Sequence, residues 1–201
     1  MFEWLIRRRP INQLNLHHQL AEIPQLTLVA SSALWSEAER QAINLCQRAM
    51  LLEYDLFIVL DDFQSTSDPD RQKHYVRQLV LIITDLFKNL LPVLKNVIKE
   101  LKRSAPTSLV TQDMCRAQKR FKEIRKSHQL RHLRNNAGAH HDKDANAQLN
   151  ALKSIKVSYK TLIIKQLLEA FTELSMARRR LIESWREKSL RNETQQELKS
   201  G

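Results

Sequence analysis

The sequence predicts an all-α protein, an up-and-down bundle of four to five long helices, on three observations. Glycine occurs only at Gly138 and at the terminal Gly201, and a β-rich chain needs many more glycines for its turns. Proline is also sparse, with five residues in the whole chain. Between these breaks, apolar residues recur at steps of three and four, which is the pattern of helices with one buried face.

The first long helix is predicted from about residue 31 to residue 63, after a mixed N-terminal segment, 1–30, that holds one short helix near 12–22. Ser36 and Glu39 have the spacing of a capping box, and a start nearer Ser32 is the alternative. Its buried face is formed by Trp35, Ala38, Ala42, Leu45, Ala49, Leu52, Leu56, Val59 and Phe63.

The second long helix is predicted to begin at Asp68 and Pro69, because aspartate caps a helix and proline lacks the N–H that the first position leaves unused. Its apolar pattern continues to Leu101. Pro92 lies inside that pattern and predicts a kink, since its ring removes one helical hydrogen bond. A third helix begins near Thr111.

After an interruption at 135–144, the helical pattern returns. Ser158 is a plausible cap for a last helix that includes Trp185. The polar stretch 188–201 is predicted to be a frayed tail. The sequence thus divides into the N-terminal segment 1–30, a helical bundle domain over 31–187, and the tail.

Composition limits the partners and the compartment. The net charge of +11 favours a polyanion such as nucleic acid or an anionic membrane face, with a basic solvated surface as the plainer interpretation. Cys46 and Cys115 both fall in helical patterns and are predicted to be free thiols. No secretory signal or long apolar run is found, so we expect a cytoplasmic protein without a membrane partner.

Four of the seven histidines fall close together, at His128, His132, His140 and His141. One interpretation is a metal site, because His128 and His132 are four residues apart and Asp142 is nearby. Against it, the pair lacks the glutamate of an H-E-x-x-H motif, and the surrounding arginines oppose a cation. A third interpretation makes His128 a core or rim residue that continues the apolar face.

The same segment has the parts for cutting a phosphodiester without a metal. Histidine moves protons near neutral pH, and arginine presents a fork of donors that fits phosphate oxygens. Between Arg116 and Arg134 there are eight lysines or arginines and a single acid, Glu123. An Arg and a His side by side in such basic surroundings are the minimal parts for splitting RNA through its own 2′-hydroxyl.

One run of nine residues in this segment is distinctive: Arg134, Asn135, Asn136, Ala137, Gly138, Ala139, His140, His141 and Asp142. It resembles the motif of the HEPN superfamily of helical nucleotide-binding domains, whose abortive-infection relatives have the pattern R-[ND]-x-x-x-A-H-x-D. The segment His74–Ile83 is also similar to a long helix of those relatives.

The resemblance implies a homodimer that places two Arg/His sets in one cleft, and a metal-independent endoribonuclease of phage defence or of a toxin–antitoxin system. Arg134 would stabilise charge on the scissile phosphate, His140 would be the acid/base, and Asn135 would support them. On an unbroken helix His141 would lie nearer Arg134. Because Gly138 and two asparagines favour a break, we expect His140 to act.

The RNA-binding residues predicted beside this catalytic set are Arg116, Lys119, Arg120, Arg125, Arg131 and His141. We expect no metal and no other cofactor. The expected partners are RNA, a second copy of the chain and an antitoxin or defence-system protein. The alternatives are a catalytically silent HEPN-like module that binds RNA or protein, and a purely structural helical partner. The motif itself could be the end of a basic helix, and Arg178, Arg179 and Arg180 are predicted to be a solvated face.

Overall fold

A computed structural model describes residues 33–105, 107–126 and 157–200, and all regular secondary structure in these ranges is helical. The predicted all-α class is therefore confirmed for the described part of the chain, while the HEPN-like bundle stays a prediction. The helices are α1 (Glu37–Ser65), α2 (Pro69–Asp85), a π-helical turn (Leu86–Leu90), α3 (Leu91–Ser104), α4 (Leu109–Lys126) and α5 (Val157–Ser200).

A capping box fixes the start of α1. The Ser36 hydroxyl accepts the backbone N–H of Glu39 at 3.3 Å, and the Glu39 carboxylate accepts the backbone N–H of Ser36 at 3.0 Å. These two bonds satisfy donors that the first turn leaves without partners. Of the two predicted starts, the structure thus has the one at Ser36, and the first helical residue is Glu37.

The segment from α2 to α3 is helical throughout but changes its hydrogen-bond pattern before Pro92. Asp68 caps α2 by accepting the N–H of Asp70 at 2.9 Å, and Pro69 takes the first position, as predicted. Where the sequence predicts a kink, the structure has the π turn, closed by the Leu91 N–H bonding to the Leu86 carbonyl. The wider turn accommodates a proline that cannot donate to the carbonyl four residues earlier.

A short hairpin joins α3 to α4. The Thr111 hydroxyl donates to the Ala105 carbonyl at 2.9 Å, and the Thr111 N–H donates to the Ser108 hydroxyl at 3.1 Å. α5 packs along α4 and against α1, and the main core lies between these helices and α3. Phe121 of α4 and Phe171 of α5 meet edge to face with 5.6 Å between ring centroids. This contact joins the two helices that precede and follow the segment 127–156 in the sequence.

The predicted frayed tail is wrong over its described part, because α5 continues as helix to Ser200. The tail has no glycine or proline before Gly201 and is rich in good helix formers. Near its start, the Lys188 ammonium forms an ion pair with Glu39 at 2.7 Å and lies 5.4 Å from the centre of the Trp35 ring. These contacts hold α5 against the beginning of α1, while the side chains of 190–195 are exposed.

Candidate nucleic-acid interface

The predicted catalytic residues Arg134, Asn135 and His140 lie outside the described residues, as do Arg131 and His141 of the predicted RNA-binding set. The alternative metal site belongs to the same part of the chain. The structure does describe α4, which leads directly into that segment and carries the other four predicted RNA contacts, Arg116, Lys119, Arg120 and Arg125.

Two of these four basic residues, Arg116 and Arg120, form ion pairs with carboxylates of α5. The Arg116 Nε lies 2.9 Å from a carboxylate oxygen of Glu173, and the Arg120 Nη1 lies 2.7 Å from Glu169. Arg120 also reaches Glu173, at 3.5 Å. The hydrogen bond with Glu173 raises the pKa of Arg116 above its ordinary value. Arg116 and Arg120 therefore join α4 to α5, and they are not free cations.

A buried carboxylate strengthens the same seam. Asp113 has no exposed surface, and it accepts one bond from Arg116 and one from the Nε of Arg180 at 2.7 Å. Two guanidinium groups compensate the cost of burying this charge. The pairing of Arg180 with Asp113 makes the prediction of a solvated arginine face wrong at this position.

That prediction is also wrong for Arg178, whose side chain is only 3% exposed, whereas Arg179 is exposed as expected. The sequence contains the signal for this burial. Arg178 is four residues after Leu174 and three before Leu181, so it belongs to the apolar face of α5. The guanidinium contacts the sulfur of Met50 in α1.

Arg178 lines a small cavity between α1 and α5 together with Cys46 and Glu53. Burial raises the pKa of Glu53 to about 7, against the opposing attraction of Arg178. Burial also raises the pKa of the Cys46 thiol to about 12. A thiol with such a pKa is not ionised at neutral pH, so Cys46 is no nucleophile. Both Cys46 and the half-buried Cys115 are free, as predicted.

The outer face of α4 carries exposed cations that no described carboxylate pairs with. Lys119, Lys122 and Lys126 follow one another at steps of three and four, and Arg125 flanks them. Among the described residues, Lys122 alone of these four has a polar partner, the side-chain carbonyl of Gln118 at 3.0 Å. Of these four, the sequence prediction includes Lys119 and Arg125. It missed Lys122 and Lys126, although their spacing from Lys119 was visible in the sequence.

No family model, no curated protein and no solved structure is significantly similar to the chain. Among the helices that the structure describes, none has a stretch both long and apolar enough to cross a membrane.

Proposed function

We propose that the chain is a metal-independent endoribonuclease of the HEPN type that acts as a homodimer. The observation that carries the proposal is the run from Arg134 to Asp142, in which Arg134, Asn135 and His140 stand at the spacing of the HEPN motif. The outer cations of α4, which precede this run in the chain, support the proposal because they offer contacts for the phosphates of an RNA strand.

The proposed reaction uses the RNA's own hydroxyl. His140 accepts the proton of the 2′-hydroxyl, the 2′-oxygen bonds to phosphorus, and the bond from phosphorus to the 5′-oxygen breaks. A histidine returns the proton to the leaving 5′-oxygen, so the products are a 2′,3′-cyclic phosphate and a 5′-hydroxyl. Arg134 stabilises the charge that accumulates on the phosphate oxygens, and Asn135 supports the pair.

The spacing along the sequence is compatible with an RNA strand that contacts both the described cations and this site. Lys126 is the last described residue of α4, and Arg134 follows it by eight residues. Eight residues span about 12 Å as helix and at most about 27 Å when fully extended. A single RNA strand can therefore contact the outer face of α4 and Arg134 together.

The contacts of α4 change which residues we propose for RNA binding. Arg116 and Arg120 are engaged with Glu173 and Glu169, so we assign them to the seam between α4 and α5. The proposed contacts on α4 are Lys119, Lys122, Arg125 and Lys126, and beyond α4 the proposal keeps Arg131 and His141.

Cleavage of RNA in EDTA by single-site variants tests the proposal. We expect His140→Ala and Arg134→Ala to abolish cleavage, since one loses the proton acceptor and the other the phosphate charge partner. His141→Ala removes one proposed RNA contact and leaves the acid/base in place, so it should weaken RNA binding and keep substantial cleavage at saturating RNA. Circular dichroism of all three variants establishes that they are folded. Full activity in all three variants contradicts the nuclease proposal. Loss of activity in His141→Ala, with activity kept in His140→Ala, shows that the register is wrong.

A further inference from the structure

We propose that RNA also binds to a second cationic surface, a row of four lysines on the π turn and α3. The row consists of Lys88, Lys95, Lys99 and Lys102. This inference rests on the proposed function in that it takes RNA as the ligand, and it extends the RNA contact from α4 to the whole α3–α4 hairpin. The ligand class is a single RNA strand, held through its phosphates and not through its bases.

The geometry of the row suits a phosphate backbone. All four lysines are exposed, and Lys95, Lys99 and Lys102 follow at steps of four and three along one side of α3. Lys88 lies two turns earlier, in the π turn. From Lys88 to Lys102 the row extends over about 21 Å at the usual helical rise. Several consecutive phosphates of one strand lie within such a length.

Like the outer cations of α4, and unlike the arginines that join α4 to α5, the lysines of the row have no acidic partner in the described chain. Arg116, Arg120 and Arg180 bond to carboxylates of neighbouring helices, and Lys188 bonds to Glu39. The one acid of α3, Glu100, pairs with Arg103 and not with a member of the row.

Lysines in such a row also repel one another. Like charges at steps of three and four destabilise a helix, and here Lys95 is followed by Lys99 and Lys102 without an intervening acid on that side. Lys102 is favourable at the C-terminal end of α3, because it interacts well with the helix dipole. The helix dipole gives no such advantage to Lys95, and a bound polyanion accounts for both the charge and its placement.

The hairpin connects the lysine row with the proposed active site. α3 and α4 pack against each other and are joined by the short segment 105–108, so they run in opposite directions. Lys88 and Lys126 are about equally distant in sequence from this turn and so lie toward the same end of the hairpin. Lys126 precedes Arg134 by eight residues in the sequence, so Lys88 lies at the end of the hairpin from which the chain continues to Arg134.

An RNA strand fits this surface better than a membrane does. A helix that lies on a bilayer combines basic residues with exposed aromatic or aliphatic side chains that enter the lipid. The large apolar side chains that are exposed in the described chain, such as Leu51, Leu81 and Leu190, belong to α1, α2, α4 and α5. The π turn and α3 have none, so their exposed side is cationic without an apolar component.

The salt dependence of RNA binding tests the inference. The probe is a 20-nucleotide 2′-O-methyl RNA, which cannot be cut because its 2′-hydroxyl is blocked. The full-length protein is titrated by fluorescence anisotropy at several salt concentrations. In the test variant all four lysines of the row are replaced by glutamine. At about 0.7 per phosphate contact on a single strand, the slope of log K against log salt should become less steep by about 2.8.

The control variant removes the same number of charges from other exposed positions, Arg48→Gln, Lys165→Gln, Arg186→Gln and Arg191→Gln. Between 50 and 200 mM salt, the wild type and the control should weaken about fifty-fold more than the test variant. Single Lys→Gln variants should each lower the slope by about 0.7. Equal slopes in the test and control variants overturn the inference, as does a wild type that does not bind the probe.

Two further measurements separate the failure of this inference from that of the nuclease proposal. Only the lysine row is overturned if the wild type cleaves unmodified RNA, His140→Ala does not, and the salt slope of the lysine variant equals that of the wild type. The expected slope change without any cleavage overturns only the nuclease. If the lysine variant loses binding to vesicles of anionic lipid while its RNA slope is unchanged, the row is a membrane surface and the inference is wrong.

Discussion

Replacement of the partly buried Glu53 by glutamine gives a quantitative test of the α1–α5 interface. Glu53 lies in the cavity with Arg178 and Cys46, and burial raises the pKa of its carboxyl from 4.5 to about 7. Glutamine has nearly the shape of the protonated acid but cannot ionise. The variant therefore isolates the free energy that the folded protein loses when Glu53 becomes charged.

The direction and size of the effect follow from the two pKa values. The unfolded chain releases the Glu53 proton near pH 4.5, whereas the folded chain retains it until about pH 7. The wild type therefore loses stability as pH rises through this range, and the loss is complete above it. At about 1.4 kcal/mol per pKa unit, the difference between 4.5 and about 7 corresponds to roughly 3 to 4 kcal/mol.

Urea unfolding followed by circular dichroism at pH 4.5, 6, 7 and 8 measures the effect. We expect Glu53→Gln and the wild type to have similar unfolding free energies at pH 4.5, and the variant to be about 3 kcal/mol more stable at pH 8. Glu187→Gln, at an exposed position of α5, should show no such trend. The raised pKa of Glu53 is refuted if the unfolding free energies of the variant and the wild type differ by the same amount at every pH, or if the wild type is the more stable at pH 8.

Two further outcomes are expected. Asp113→Ala should lower the free energy of unfolding by about 3 kcal/mol in the same assay, because it removes the buried carboxylate that Arg180 contacts. As a control, Arg103→Ala, at an exposed ion pair, should change it by less than about 1 kcal/mol. A loss below about 1 kcal/mol for Asp113→Ala contradicts a stabilising role of the buried ion pair. Light scattering at micromolar concentration should give twice the chain mass of 23.6 kDa, because the proposed cleft takes Arg134 and His140 from both chains; a strict monomer refutes the dimer.

Local signals in the sequence predicted the helix starts well. The capping box of Ser36 and Glu39 and the pair Asp68 and Pro69 each act within one turn, so three or four neighbouring residues suffice to define them. The irregularity at Pro92 was predicted for the same reason, although the structure resolves it as a π turn. The described part of the tail is helical because its residues have high helix propensity, which its polarity does not reveal.

The roles of the basic residues could be predicted only in part, because they depend on distant partners. Arg116 and Lys119 are both basic residues of α4 and cannot be told apart by charge. Of these two, Arg116 contacts Glu173, which is 57 residues away in sequence, and Lys119 does not. The register of α4 against α5 decides this, and α4 alone contains no information about it. The burial of Arg178 was visible in its spacing from Leu174, but three consecutive arginines suggested a solvated face.

Cleavage of one oligonucleotide in two chemical forms tests the central claim most directly. The full-length protein is incubated in EDTA with an RNA and with its all-2′-deoxy counterpart, and His140→Ala from the same preparation controls for contaminating nuclease. The proposed mechanism predicts that only the RNA is cut, with a 2′,3′-cyclic phosphate on one product, and that His140→Ala leaves it intact. Cutting of the deoxy form, a requirement for added metal, or an intact RNA would contradict a metal-independent ribonuclease that uses the substrate's own 2′-hydroxyl.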